Sequence, residues 1–238
     1  MLLGSLDLLL SDPLRFLMVF PMVLALVGTA LLVGITVHEA SHALVAFRLG
    51  DYTAKALGRL SLNPIRHLDP MGTIMLVLVG FGWGKPVPVN PMNLAGARKG
   101  MALVSAAGPV SNLMAASLFA LPFRLGLLPW QPPFYTGYSF GTIFSTFIPS
   151  LLSLFVYFNI VLAAFNLIPL FPLDGSKVLL GLLPEKAARQ FARLEPFGPM
   201  VLILILALDF LTNAGLLSRV LVPVVNYLSK FILGEGLF

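Results

Sequence analysis

Long apolar runs separated by short polar loops dominate the chain. The first run begins after Arg15, continues without a charge to Val37, and keeps a helical pattern as far as Leu49. At 1.5 Å per residue, about 22 apolar residues span roughly 33 Å, the thickness of one bilayer core. The whole element is longer than that, so we expect it to tilt, or to bend near Pro21 or Gly34.

Further apolar runs predict the remaining spanning helices, at residues 101–123, 143–168, 197–216 and 217–233. The first three are long enough to cross a bilayer, whereas the last is either a fifth span or a helix on the membrane surface. Residues 1–13 are short and broken by polar positions, so we expect them along the interface. Residues 124–142 are rich in aromatic residues and proline, which is typical of an interfacial loop.

Two stretches depart from this pattern. Residues 71–84 are apolar but too short to span, and their four glycines favour a re-entrant segment. Residues 85–90 alternate with prolines, which fits an edge strand or an extended loop. The prolines at 169 and 172 then stop the third span before it finishes crossing. The sequence therefore predicts an all-α polytopic membrane protein, with four to five transmembrane helices, a re-entrant segment and a small extended, β-like element.

The composition agrees with a membrane protein. Apolar residues make up 58% of the chain and charged residues 11%, whereas a soluble domain is about 25% charged. Cysteine is absent, so disulfides and thiolate metal sites are excluded, and a metal would need His and carboxylate ligands. We expect one membrane-embedded domain over residues 1–238.

The positive charges predict an orientation. Eleven of the 15 basic residues lie in the loops 48–66, 85–99 and 177–193, which would all face one side of the membrane. The positive-inside rule makes that side cytoplasmic, with the N-terminus outward. Because topology accounts for the net charge of +5, no nucleic-acid partner is expected.

A zinc-binding motif lies in the first long helix. The sequence His38-Glu39-Ala40-Ser41-His42 is an H-E-x-x-H motif, and histidines at i and i+4 share a face and can reach one zinc ion. Glu39 lies at the flank of that face, where it can take a proton from a zinc-activated water and pass it to the leaving amine. Because an ionisable cluster in an apolar helix is costly, function is favoured over a polar helix end that happens to spell the motif.

A catalytic zinc site needs a third protein ligand. Asp174 follows the proline-broken end of the third span, and helical geometry would place it and His38 each about 15 Å below the cytoplasmic face. An alternative role for Asp174 is a helix N-cap after a proline turn. His67 is the other candidate ligand, although its basic loop indicates a position near the surface.

Further motifs accompany this one along the chain. They are Gly108-Pro109-x-Ser111-Asn112, Asn-x-x-Pro-x-x-Pro-Leu-Asp-Gly from Asn166 to Gly175, Leu62-Asn63-Pro64 with His67, Asp69, Pro70 and Gly72, and Gly82-Trp83-Gly84-Lys85-Pro86-Val87-Pro88-Val89-Asn90. With the zinc motif, they resemble the site-2 protease family of intramembrane zinc metalloproteases, in its compact prokaryotic branch. The resemblance covers about residues 30–195, which would be the catalytic core, and suggests a prokaryotic plasma membrane location. In contrast to larger members of the family, neither an inserted peptide-binding domain nor a C-terminal soluble domain is expected.

The resemblance implies a catalytic centre with one zinc ion per chain. His38, His42 and Asp174 would bind Zn²⁺, and Glu39 would be the catalytic acid and base. Asn166 would hold the scissile carbonyl or the developing oxyanion, a helix–helix hydrogen bond being the alternative. The expected partners are transmembrane segments of substrate membrane proteins in the lipid bilayer.

A substrate-binding role is expected for the extended stretch. A transmembrane helix must unwind before cleavage, and the unwound chain could add as a strand along Lys85, Val87, Val89 and Asn90. A packed re-entrant loop that shields the site is the alternative. Asn112 is a further candidate for substrate contact, although a helix–helix hydrogen bond suits it better.

The leading hypothesis is therefore an intramembrane zinc endopeptidase. The alternative is a membrane protein without peptidase activity, either a catalytically silent client-binding relative or a metal- or proton-linked transporter. The intact Glu39 argues against a silent relative. No repeated halves with paired discontinuous helices support a transporter.

Overall fold

The computed structural model describes residues 6–79, 82–131, 143–212, 214–234 and 236–237, and most of these are helical. The helices are α1 (Leu6–Ser11), α2 (Pro13–Arg48), α3 (Thr53–Ala56), α4 (Pro70–Val79), α5 (Ala97–Arg124), α6 (Ile143–Asn166), α7 (Asp174–Leu182), α8 (Glu185–Ala192), α9 (Gly198–Thr212) and α10 (Leu216–Leu233). Three 3-10 turns lie at Pro64–Arg66, Pro91–Asn93 and Glu195–Phe197. The described residues form no sheet, and a single isolated bridge joins Leu68 and Gly84.

Within the part of the chain that the structure describes, five helical stretches are long and apolar enough to cross a membrane: Phe20–Arg48, Ala97–Arg124, Thr146–Asn166, Glu185–Asp209 and Leu216–Leu233. The predicted all-α polytopic fold is confirmed, and the chain is an integral membrane protein. The predicted span at 197–216 differs in detail. Its helix α9 has 15 residues, and the fourth stretch reaches back through α8.

Helix α2 is a single element of 36 residues that continues through Pro21. At 1.5 Å per residue it is about 54 Å long, well above a bilayer core of about 30 Å. A helix of this length fits by tilting, by bending or by extending beyond the core.

Helix α5 is central and packs against α2, α6, α7 and α10. Its buried Ala116 and Ala120 contact a cluster that includes Val156 and Ile160 of α6 and Val225 of α10. Small residues let helix backbones approach closely inside a membrane, where dispersion contacts and hydrogen bonds drive association. This packing brings α2, α5 and α6 together around the site described below.

The described residues 67–79 and 82–90 form two legs that lie side by side. After α4 the chain returns beside it, and the Lys85 N–H donates to the His67 carbonyl at 2.8 Å. A methyl group on Gly72 would lie 2.1 Å from the Trp83 carbonyl oxygen, so glycine is needed where the returning leg touches α4. Of the two predicted forms of residues 85–90, an edge strand or an extended loop, the structure has the loop, which directly follows the isolated bridge between Leu68 and Gly84. Most of the predicted aromatic loop, residues 132–142, lies outside the described residues.

Candidate metal centre

Three predicted ligands from two helices meet in the protein interior. The Nε2 atoms of His38 and His42 lie 3.0 and 3.2 Å from the Asp174 Oδ2 atom. The two histidines are only 6% and 7% exposed. Among the described residues, these three form the one group of His and carboxylate side chains whose ligand atoms all lie within 4.8 Å of one another. The fold therefore brings Asp174 next to two histidines that lie 136 and 132 positions earlier in the chain.

Glycines position Asp174. A Cβ atom on Gly175 would lie 2.2 Å from the Leu167 carbonyl oxygen, so α7 begins directly against the end of α6. A Cβ atom on Gly181 would lie 2.3 Å from the Ala102 Cβ atom, so α7 also packs closely on α5. Asp174 is the first residue of α7, and Leu173 occupies the cap position. The alternative role of Asp174 as an N-cap is thus not what the structure shows.

Hydrogen bonds fix the tautomers of both histidines. The Nδ1 atom of His42 lies 2.7 Å from the Val104 carbonyl oxygen, which can only accept, so Nδ1 carries the proton. The Asn112 amide donates to the Gly34 carbonyl at 3.0 Å, which leaves the Asn112 Oδ1 atom facing His38 Nδ1 at 2.6 Å. His38 Nδ1 is therefore also the donor. Each Nε2 atom presents a lone pair to the centre, as metal-binding imidazoles do.

The donor set fits a zinc ion. The Oδ2 atom of Asp174 is buried and accepts no hydrogen bond from the described residues. Two imidazole lone pairs and a carboxylate oxygen repel one another unless a cation lies between them. Zinc ligands at 2.0–2.2 Å in tetrahedral geometry are separated by roughly 3.3–3.6 Å, slightly more than the observed 3.0 and 3.2 Å. A bound zinc ion would satisfy all three atoms.

Gly108 of α5 keeps space open beside the ligands. A Cβ atom there would lie 2.5 Å from His42 Nε2 and 2.6 Å from His38 Nε2. Even the smallest side chain would occupy the volume that a metal ion and its fourth ligand need.

Glu39 lies beside this group and contacts the extended stretch. Its Oε2 atom accepts a hydrogen bond of 3.0 Å from the Val87 N–H. Its side chain is half-buried, and it does not belong to the ligand group. The structure thus brings a predicted catalytic residue and a predicted substrate-binding residue into contact.

The other predicted substrate-binding residues lie farther along the same stretch or behind the histidines. Lys85 is exposed, and Val89 is half-buried. The Asn90 side chain accepts from the Met92 N–H at 3.1 Å. Asn112 is fully buried behind His38.

Asn166 is the last residue of α6, and its Nδ2 atom donates to the Leu162 carbonyl of its own helix at 3.0 Å. His67 differs from the prediction of a position near the surface. It is 1% exposed and its Nε2 atom contacts the Ser61 carbonyl oxygen at 2.7 Å. Because the loop folds back over it, His67 is buried, and it does not belong to the ligand group.

Asn159 of α6 is a residue that the sequence analysis missed. Its Oδ1 atom accepts from the Asn112 amide at 2.7 Å, and its own amide donates to the Phe155 carbonyl at 2.8 Å. Both asparagines are fully buried. The sequence feature that could have identified it is an asparagine inside an apolar span. Burying such a polar side chain in a membrane is costly, so its presence indicates a functional or structural hydrogen bond.

Comparison with known proteins points to a metalloprotease. The family model described as "Peptidase family M50" matches residues 133–208. A Bacillus subtilis protein named "Putative zinc metalloprotease YwhC" is 42% identical over 196 residues, which cover 82% of this chain and 84% of the relative. Proteins named "Putative zinc metalloprotease Rip2" from two species also match. The one from Mycobacterium tuberculosis strain H37Rv is 32% identical over 203 residues, covering 83% of this chain and 70% of the relative.

The Rip2 protein from Mycolicibacterium smegmatis is 27% identical over 200 residues, covering 82% of this chain and 70% of the relative. No solved structure matches the chain.

Proposed function

This chain belongs to peptidase family M50, the site-2 proteases, and is a zinc metalloprotease, and we propose that it cleaves peptide bonds within transmembrane segments of other membrane proteins. The observation that carries the proposal is the position of the buried ligand group. His38 and His42 lie within the candidate span Phe20–Arg48, and His38 is ten residues from its end. Ten helical residues rise about 15 Å. A hydrolytic centre at that depth would reach bonds that soluble proteases cannot.

The zinc ion would be held by the Nε2 atoms of His38 and His42 and by the Asp174 carboxylate. When bound, it supplies a polarised water of lowered pKa and a Lewis acid for the scissile carbonyl. The buried Asn112 and the Val104 carbonyl keep both imidazoles in the tautomer that this coordination needs.

Glu39 would move the protons. One of its oxygens accepts the Val87 N–H, which orients the carboxylate. The other oxygen is then the one that takes the proton from water and delivers it to the leaving amine nitrogen. Positioned acid–base groups of this kind contribute about 10²–10⁴-fold to a rate.

Asn166 would stabilise the oxyanion. Its amide nitrogen carries two hydrogens, and one bonds the Leu162 carbonyl. That bond holds the side chain at the end of α6 while the second N–H is offered to the scissile carbonyl oxygen. A fixed amide donor in a site with little water stabilises developing charge strongly.

The stretch Lys85–Asn90 would bind the unwound substrate as an added strand. Within the described part of the chain, no hydrogen bond engages the carbonyls of Val87 and Pro88 or the N–H of Val89. Such backbone groups are what an extended peptide pairs with. Val87 would thus use its N–H for Glu39 and its carbonyl for the substrate, next to the hydrolytic centre.

The proposal also includes the orientation of the chain in the membrane. By the positive-inside rule, the basic loops favour an active site toward the cytoplasmic face with the N-terminus outward, and the resemblance to compact prokaryotic relatives favours a prokaryotic plasma membrane. Substrates would enter from the lipid bilayer and be cut near that face.

The test uses purified protein in lipid nanodiscs with zinc content measured by atomic absorption. A designed transmembrane substrate and the same residues as a soluble peptide are compared, and cut sites are mapped by mass spectrometry. We expect one zinc per chain and cleavage inside the transmembrane segment. Glu39→Gln should keep the zinc and lose the cleavage.

Two results would reject the proposal. Activity that survives in Glu39→Gln would exclude Glu39 as acid and base. Cleavage confined to loops or to the soluble peptide would exclude proteolysis within the membrane.

A further inference from the structure

The stretch Lys85–Asn90, called the strap below, reaches Glu39 without the support of a sheet. Prolines at 86 and 88 remove two backbone donors. Among the described residues, the backbone pairing at this end of the strap is limited to the isolated Leu68–Gly84 bridge and the bond from the Lys85 N–H to the His67 carbonyl. An extended segment with so few ladder bonds does not keep one position by itself. Other groups must hold the Val87 N–H at 3.0 Å from the Glu39 carboxylate.

Arg59 holds the first end of the strap. Its guanidinium donates to the carbonyls of Lys85 and Pro86, and also to the Arg66 carbonyl. Arg59 is only 6% exposed, and it makes no salt bridge among the described residues. Burying a guanidinium against carbonyls alone is costly, while its rigid fork of donors suits several acceptors at once. Two of the carbonyls it binds, those of Lys85 and Pro86, directly precede Val87.

Asp51 holds the second end. It is fully buried, and its Oδ2 atom accepts the Asn90 N–H at 2.7 Å. Its Oδ1 atom accepts from the Thr53 hydroxyl at 2.5 Å and from the Asn93 amide at 3.1 Å. A carboxylate that gathers donors from both sides of a turn ties the end of α2 to the end of the strap.

We propose that Asp51 and Arg59 are positioning residues that clamp the two ends of the strap and so keep the Val87 N–H on Glu39. The assignment of a catalytic duty to Glu39 rests on the proposed function, whereas the clamp itself does not. With either end released, Val87 moves relative to Glu39. Misplacement of a reacting group by about 1 Å can cost on the order of 10²-fold in rate.

The first measurement needs no activity. The chain contains no cysteine, so Val89→Cys creates a single thiol in the middle of the strap. The rate at which a water-soluble maleimide labels this thiol is measured in Val89→Cys alone and in Val89→Cys combined with each of four further substitutions. Arg59→Gln and Asp51→Asn remove the clamps. Arg66→Gln and Asp69→Asn are matched controls, because these side chains bond Gly58 and Gly72 instead of the strap.

We expect labelling to be about ten-fold or more faster in both clamp variants and unchanged in both controls. Unchanged labelling in the clamp variants would overturn the clamp. Zinc content and elution as a single species check folding, and Arg59→Lys, which keeps the charge but loses the fork, replaces Arg59→Gln if that variant misfolds.

The second measurement is the kinetics of the same clamp variants without the added cysteine. We expect kcat to fall about 10–100-fold with zinc content unchanged, and KM to change less than kcat, because the loss concerns orientation rather than metal binding. A rise in kcat would show that the strap restrains the enzyme and would overturn the positioning role. Faster labelling of the clamp variants together with an unchanged kcat would also overturn the positioning role.

The two measurements separate the two proposals. If the wild-type protein cleaves no membrane substrate, the proposed function fails, while the labelling rates still decide whether Asp51 and Arg59 hold the strap.

Discussion

The Nδ1 atom of His38 lies 2.6 Å from the Oδ1 atom of Asn112, and this hydrogen bond ties the metal centre to the central helix. Asn112 donates in turn to Asn159 on α6, which donates to the Phe155 carbonyl. A buried line of amides therefore runs from the first ligand through three helices. Partners of this kind orient a metal-binding imidazole and raise its basicity.

Removal of this partner should weaken zinc binding. Asn112→Leu leaves His38 Nδ1 without an acceptor, and we expect zinc affinity to fall about 10–100-fold. Asn112→Asp keeps an acceptor and should lose less. Zinc affinity is measured by competition with a chelator. The control is Ser111→Ala, which removes a neighbouring hydroxyl that donates to the Gly108 carbonyl. Equal affinities in Asn112→Leu and wild type would contradict the role of the amide.

The smallest change beside the ligands should be enough to exclude the metal. Gly108→Ala places a methyl group 2.5 Å from His42 Nε2, so we expect zinc content far below one per chain and loss of cleavage. Gly28→Ala is the matched control, because a Cβ atom there meets nothing within 4 Å. Full zinc content in Gly108→Ala would show that the glycine does not face the ion.

The identity of the third ligand can be tested by metal content alone. Asp174→Ala removes the only carboxylate of the group and should abolish stoichiometric zinc. His67→Ala should keep it, because His67 Nε2 bonds the Ser61 carbonyl rather than the ligand group. The reverse pattern, with zinc kept in Asp174→Ala and lost in His67→Ala, would reject the proposed ligand set.

Asn166 should affect turnover rather than binding. Loss of a donor to the developing oxyanion costs about 10²–10³-fold in kcat, so we expect such a fall in Asn166→Ala with unchanged zinc content. Ser117→Ala is a control that removes a similar bond to a helix's own carbonyl. A change in KM alone would assign Asn166 to substrate binding instead.

Acid should remove the stabilisation that Asp51 provides. Burial raises the pKa of its carboxyl, but hydrogen bonds from Thr53, Asn90 and Asn93 outweigh this and leave the pKa below the usual value. A lowered pKa means a contribution that is complete above about pH 5 and is lost as the pH falls below about 4. We expect Asp51→Asn to cost about 1–3 kcal/mol of unfolding free energy at pH 7.

The loss of unfolding free energy in Asp51→Asn should become smaller towards pH 3. The difference is measured on metal-free protein, so that release of zinc in acid does not contribute. A cost that grows as the pH falls would contradict the sign of the pKa shift.

The membrane fold could be predicted because its determinants are local. A bilayer core of fixed thickness sets the length of an apolar helix, so the runs at 101–123 and 143–168 identified α5 and α6 from composition alone. The predicted span 197–216 ran past Thr212, where α9 ends, although Asn213 and Gly215 follow there in the sequence.

The sequence by itself determined that His38 and His42 share one face, since i and i+4 spacing is a property of the helix, and the absence of cysteine limited the metal ligands to His and carboxylate. Only the tertiary structure decided what surrounds them. Asn112 is 74 residues from His38, and Val87 is 48 from Glu39. Contacts over such separations arise from helix packing and loop closure, which no local pattern encodes, and for the same reason the burial of His67 and the clamp by Arg59 emerged only in three dimensions.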